Sequence, residues 1–110
     1  MSVKALFQPL RSRAASDISS SYAVVGTEID VPFRIFRINN ATQGNLLLST
    51  DGTTDMIFIQ AGAAVIYDVS TNKQLEPVFA FPAKTQFYVK QVSAPTSGSV
   101  YIEVIYGIGT

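Results

Sequence analysis

The sequence predicts an all-β fold: a single antiparallel β-sandwich or jelly-roll-like domain of about seven to eight strands. Three observations carry this expectation. Short runs rich in Val, Ile, Phe, Tyr and Thr recur at roughly 8–12-residue spacing, separated by turn residues. Within the runs, apolar side chains alternate with others at the period of a strand. No window holds a sustained 3.6-residue apolar stripe, so helix is limited to a short turn around Arg11 to Ser16. A chain of 110 residues without an internal repeat makes one domain. At that size folding buries roughly two-thirds of the surface the unfolded chain exposes, enough for a self-sufficient core.

Residues 1–20 differ from the rest and read as an extended N-terminal arm preceding a sandwich over residues 21–110. They carry Lys4, Arg11 and Arg13, a proline at Pro9, and little period-two alternation. The basic and serine-rich character superficially resembles a mitochondrial transit peptide, and the apolar stretch is too short for a secretory signal. The expectation is an arm retained in the mature protein and held by its own domain or by a neighbour, with Leu6, Phe7, Pro9 and Leu10 as anchors and Arg11 and Arg13 meeting acidic groups.

From Tyr22 the order is strand, turn, strand. "SYAVVGTEI" is β-branched-rich and interrupted by Gly26, and "VPFRIFRINN" follows with Asn39-Asn40 as its turn signal. In "FRIFRI" strict alternation breaks, and a bulge near Ile35-Phe36 would place Arg34 and Arg37 on one side of the sheet. Those arginines read as solvated charges that discourage edge aggregation. The alternative is that their planar forks pair with carboxylates of a neighbouring subunit.

"NLLLST" and "DMIFIQ" flank Asp51-Gly52, a strong hairpin signal because both central residues of the tight turn need positive φ. That pairing puts Leu46, Leu48, Ile57 and Ile59 on one aliphatic face. The other face carries Asn45, Leu47, Ser49, Met56, Phe58 and Gln60. "AVIYDV", "TQFYVKQV" and "SVYIEVIYG" complete the set. Their turn signals are Ala61-Gly62, Ser70 to Lys73, Pro82, and Ala94 to Gly98. Phe87 and Val89 oppose Tyr88 and Lys90, while Val100, Ile102 and Val104 oppose Tyr101, Glu103 and Ile105. The outer sets thus retain Leu47, Met56, Phe58, Tyr88, Tyr101 and Ile105. If contiguous, such residues mark a contact surface.

Composition excludes more functions than it proves. Histidine and cysteine are absent, which removes the usual neutral-pH base, the common nucleophilic triads, and any zinc site built on nitrogen or sulfur. Eight basic and eight acidic side chains balance to zero, leaving no electrostatic footprint for nucleic acid. No apolar run approaches the ~20 residues that span a bilayer. Asp51, Thr53 and Asp55 supply some of the oxygens calcium needs, but no nearby glutamate closes the sphere, and the turn reading prevails. Glu28 and Asp30 lie on one strand face, but nothing suggests the apolar cleft that a carboxylate pair needs for catalysis. The glycines are singletons at turns, without a phosphate-binding pattern. The expectation is a non-enzymatic protein with no cofactor and no metal.

"YAVVGTEI", "RIFRINNAT", "LLLSTDGTTDMIFIQAG", "VIYDVSTN" and "TQFYVKQVSAPTSGSVYIEVIYG" together resemble small β-sandwich virion proteins of tailed bacteriophages, of the head-decoration or neck and collar type. The likeness runs from about Tyr22 to Gly107 and rests on turn and core features. It implies a virion component assembled in the host bacterial cytoplasm, which forms a homo-oligomer and contacts capsid, portal, neck or tail proteins. It carries over no catalytic residues. The rival class is a carbohydrate- or receptor-binding module of a tail or fibre, which would need Tyr67, Tyr88 or Tyr101 clustered at a concave site.

Overall fold

The computed structural model describes residues 3–69 and 80–109. Among the described residues nine strands form two antiparallel sheets that pack together as a sandwich, one strand more than the upper expectation. In chain order they are β1 (Val3–Phe7), β2 (Arg11–Ala14), β3 (Ala23–Val24), β4 (Ile35–Thr42), β5 (Leu46–Ser49), β6 (Ile57–Ile59), β7 (Ala64–Asp68), β8 (Tyr88–Gln91) and β9 (Gly98–Gly109). A single 3-10 turn at Ala15–Asp17 lies within and just past the expected helical turn. The expected turn at Ser70 to Lys73 lies outside the described residues.

The five-stranded sheet is built on β9. Strand β4 pairs along one side of it, from Ile35↔Ile105 to Thr42↔Gly98, and β7 pairs with β4 beyond. On its other side β9 takes β2 and β1 in succession. Phe7 faces Ile105 and Arg11 faces Ile102, so Gln8, Pro9 and Leu10 stand against only Glu103 and Val104. The extra residue makes a bulge, where Pro9, lacking an N–H, is tolerated. Val3–Phe7 and Arg11–Ala14 of the N-terminal arm therefore dock on the chain's own sheet, along β9. The four-stranded sheet runs β3-β8-β5-β6.

Alternation places the core as the sequence suggests. Phe36 and Ile38, Leu46 and Leu48, Phe87 and Val89, and Val100, Ile102 and Val104 all point between the sheets and are buried. Leu46 faces Ile59 and Leu48 faces Ile57, the pairing expected of this hairpin. At one end Phe33 stacks on Phe81 with centroids 5.1 Å apart, and Phe36 meets Phe81 edge-on at 5.2 Å. Phe33 and Phe36 both point inward although three positions apart, so alternation slips at the "FRIFRI" irregularity, where the regular β4 ladder begins.

Two expected turns are placed differently. Asn39 and Asn40 lie inside β4, and Asn40 is fully buried. Its Nδ2 donates to the carbonyls of Gly44 (2.9 Å), Ile59 (3.2 Å) and Gln60 (3.0 Å), while its Oδ1 accepts from Thr42 N–H and Oγ1. The asparagine therefore serves buried backbone that water cannot reach, and the chain turns later, at Gln43-Gly44. Gly52 has φ +80°, but Asp51 does not share its positive φ, so the hairpin closes through a longer loop from Thr50 to Met56. Gly98 opens β9 at φ +84°, where a Cβ would collide with the Ala41 carbonyl oxygen.

Replacing Asn40 with Ala removes three donor contacts to carbonyls and the acceptor of the Thr42 N–H, and is expected to cost roughly 3 kcal/mol, lowering Tm by about 15 °C. Urea denaturation checks this, and a loss under about 1 kcal/mol contradicts the assigned role. Gly98→Ala is expected to cost at least about 2 kcal/mol more than Gly62→Ala. Gly62 shares the positive φ, at +75°, but has open space around its Cβ position.

Candidate functional site

The apolar residues expected on the outside are divided between opposite faces of the sandwich. Ladder partners share a face. On the four-stranded sheet Leu47 stands between Phe58 and Lys90, and Tyr88 stands between Ser49 and Val24. Phe58 is 54% exposed and the neighbouring Met56 48%. On the five-stranded sheet Tyr101 faces Asn39, and Ile105 lies between Phe7 and Ile35. Phe7 is 74% exposed there, and Ile66 of β7, which faces Arg37, is 63% exposed.

The most structured polar feature rises from the β5–β6 loop. Asp51 Oδ1 accepts from the N–H groups of Thr53 (2.8 Å) and Thr54 (2.7 Å) and from the Ser49 hydroxyl (2.8 Å). These bonds favour the ionised carboxylate, those from the Thr54 and Thr53 backbone most strongly, and hold it well below the usual carboxylate range. The ordered loop presents Asp55 to the outer face. There Asp55 Oδ1 accepts from the Tyr22 hydroxyl at 2.6 Å and pairs with Lys90 Nζ at 3.0 Å. Lys90 Nζ also lies 4.8 Å from the centroid of the Tyr22 ring, within cation–π range. The Tyr22 and Lys90 hydrogen bonds lower the Asp55 carboxyl. Partial desolvation, then the bond to Asp55, raises the Tyr22 phenol. Both groups are thus locked in their neutral-pH states. The cluster orients charge beside Leu47 and Phe58.

The two aspartates that suggested a calcium loop turn their Oδ1 atoms to different partners, and no group of three or more His, Cys, Asp or Glu forms among the described residues. Glu28 and Asp30 flank the buried Ile29. Glu28, with Phe81, Lys84, Gln86 and Tyr88, lines an open cleft of about 400 Å³, which Asp30 does not join. Tyr67 instead stacks on Phe36 and lines a groove of about 280 Å³ with Phe58. The three tyrosines of the sugar-binding expectation therefore fall at three separate places.

The arginines expected to reach a neighbour are mostly occupied within the chain. Arg11 is buried and donates to the carbonyls of Pro9 (2.8 Å), Thr27 (3.0 Å) and Glu28 (3.0 Å). Arg13 donates to the carbonyls of Asp17 (2.7 Å) and Val24 (3.0 Å). The guanidinium fork here satisfies loop carbonyls, a role that spacing along a sequence does not reveal. Arg37 pairs with Glu103, its cross-strand neighbour, at 2.9 Å. Arg34 is half-buried just before β4, and Leu6 pairs with Tyr106. Phe7 and Leu10 remain exposed. Sequence reasoning missed Ile35 and Ile66 as outer-face residues, although period-two reading of "AVIYDV" against Val65 places Ile66 outside.

Because the folded Asp51 and Asp55 carboxyls titrate below their unfolded values, they stabilise the fold above about pH 4. That contribution is lost as pH falls through the folded values. Acid unfolding midpoints should shift upward in Asp51→Asn, as followed by circular dichroism. Tyr22 has the opposite sign: its contribution is present below about pH 10 and is lost as pH rises. Ultraviolet phenolate titration should show one late-titrating tyrosine that disappears in Tyr22→Phe.

No protein-family model matches the chain, and no curated protein or solved structure matches it.

Proposed function

We propose that the protein is a non-enzymatic structural component of a tailed-phage virion. In this reading it binds copies of itself and neighbouring capsid or head–tail neck proteins and so stabilises the particle. The observation that carries the proposal is the display of large apolar side chains on the outer faces of both sheets: Phe7 and Ile66 on one, Met56 and Phe58 on the other. A sandwich that works alone keeps its outer faces largely polar. Apolar residues on two opposite faces suit a subunit with neighbours on two sides. Zero formal net charge leaves little repulsion between packed copies. The resemblance to phage virion proteins supplies the setting.

The four-stranded face suits a partner of different sequence. Its charges are already paired in the Tyr22–Asp55–Lys90 cluster, which gives a docking protein a fixed orientation beside Phe58 and Met56. Purified protein mixed with phage particles lacking it is expected to bind saturably and in stoichiometric amount. Phe58→Glu should weaken that binding by about tenfold or more without changing Tm, because the side chain is exposed. Particles that ignore the wild-type protein overturn the proposal.

A second reading, a carbohydrate-binding module of a tail or fibre, has one observation in its favour. The cleft of about 400 Å³ places the rings of Phe81 and Tyr88 near Glu28 and Gln86. Against it, Gln86 Nε2 is already committed to the carbonyls of Gly26 and Phe87, and Thr85 Oγ1 to that of Pro82. Binding to a bacterial polysaccharide that Tyr88→Ala abolishes would favour this second reading.

A further inference from the structure

The outer face of the five-stranded sheet carries a pattern that matches itself. Its central row runs Glu103, Arg37, Ile66 across β9, β4 and β7. The next row runs Phe7, Ile105, Ile35, Asp68. Leu10, in the bulge beside Glu103, is exposed and points outward by alternation with the buried Arg11. Arg37 and Glu103 pair within the chain at 2.9 Å yet stay 37% and 42% exposed, so each retains capacity for a second partner.

We propose that this face is the contact between two copies of the chain, packed sheet on sheet about a two-fold axis. The proposal deepens the assembly reading above by naming the face on which copies meet. The axis runs along the strand direction, between β4 and β9 and in the plane of contact. That operation exchanges the β4 and β9 sides of each row. Arg37 then lies over Glu103 of the second copy, and Glu103 over its Arg37, closing a ring of four alternating charges. Ile35 lies over Ile105 of the second copy, and Ile66 over its Leu10, each occurring twice. At the rim Phe7 lies over Asp68 of the second copy, and Asp68 over its Phe7. Any axis that laid Arg37 on Arg37 would set like charges together, so the charge pattern selects one arrangement.

The size is adequate for a modest dimer. Four strands about 4.8 Å apart, over about seven residues of length, give a face on the order of 450 Å² before side-chain relief. Stable interfaces bury about 800 Å² on each partner. A contact of this class is expected to be reversible at micromolar concentrations. Two twisted sheets facing each other with aligned strands pack at about 30°, the common sandwich geometry.

Sedimentation velocity of the full chain from about 1 to about 100 µM tests the inference. Wild type is expected to pass from monomer to dimer over that range. Ile66→Glu should raise the dissociation constant by about tenfold or more, and Phe58→Glu, on the opposite face, should leave it unchanged. Arg37→Glu leaves two carboxylates at the centre and Glu103→Arg two guanidinium groups, so each variant alone should be monomeric. Mixed in equal amounts they should associate again, because the acidic centre of one meets the basic centre of the other. Circular dichroism checks that each variant is folded. A wild type monomeric throughout, a dimer indifferent to Ile66→Glu, or charge variants that fail to complement overturns this inference. Particle binding read separately keeps the two proposals apart. A chain that saturates particles without this dimer leaves the assembly reading standing, and a dimer that ignores particles overturns that reading alone.

Discussion

The sandwich depends on one buried side-chain amide. Asn40 sits near the end of β4, where the chain leaves one sheet to enter the other, and its amide ties β4 to the following turn and to the end of β6. Crossing between sheets brings carbonyls into the interior, and a buried carbonyl left without a donor is costly. Asn40 meets them with two donor hydrogens, and its own oxygen is satisfied by Thr42. Such a network is worth keeping only when complete. Here the described residues hold no buried side-chain nitrogen or oxygen without a partner. By holding Gly44 and Ile59 at set distances, the amide also fixes where β5 starts relative to β6, and with it which leucines face the core.

The same economy explains why similar side chains have different fates. Arg11 and Arg37 are both on strands of the five-stranded sheet. Arg11 pairs with Ile102, an inward residue, so its guanidinium must be satisfied inside, and the carbonyls of Pro9, Thr27 and Glu28 supply acceptors. Arg37 pairs with Glu103 on the outward side, where solvent screens the ion pair and its worth to the fold is small. Arg11 is thus a structural residue, joining the N-terminal edge to the loop before Ile29. Arg37 is free to shape a surface.

The two outer faces differ in character. On the four-stranded face Asp55, Tyr22 and Lys90 are bound to each other and flanked by Leu47 and Phe58, so charge there is fixed and its pairing closed. On the five-stranded face the Arg37–Glu103 ion pair is embedded among Ile35, Ile66 and Ile105, the pattern on which the proposed contact between copies rests. In the assembly we propose, one face pairs two copies while the other meets a different neighbour in a larger shell. That division follows from which residues the ladders set side by side.

Period-two alternation determined the all-β class, the inward set of Leu46, Leu48, Val89, Val100, Ile102 and Val104, and the presence of apolar side chains outside, because side-chain direction in a strand follows local sequence. Tertiary structure alone decided the rest. Asn39-Asn40 carries a turn signal because isolated asparagine favours turns, but the carbonyls of Gly44, Ile59 and Gln60 hold the Asn40 amide in the core. Arg11 and Arg13 read as surface charges because three of the carbonyls they satisfy, those of Thr27, Glu28 and Val24, lie 11 to 17 residues away. Leu47 and Phe58 proved to share a face opposite to that of Tyr101 and Ile105, since only strand order assigns an outward residue to one side of the sandwich or the other. Local pattern can say that a side chain points out; which neighbours it meets there is a long-range pairing, settled only when the sheets close.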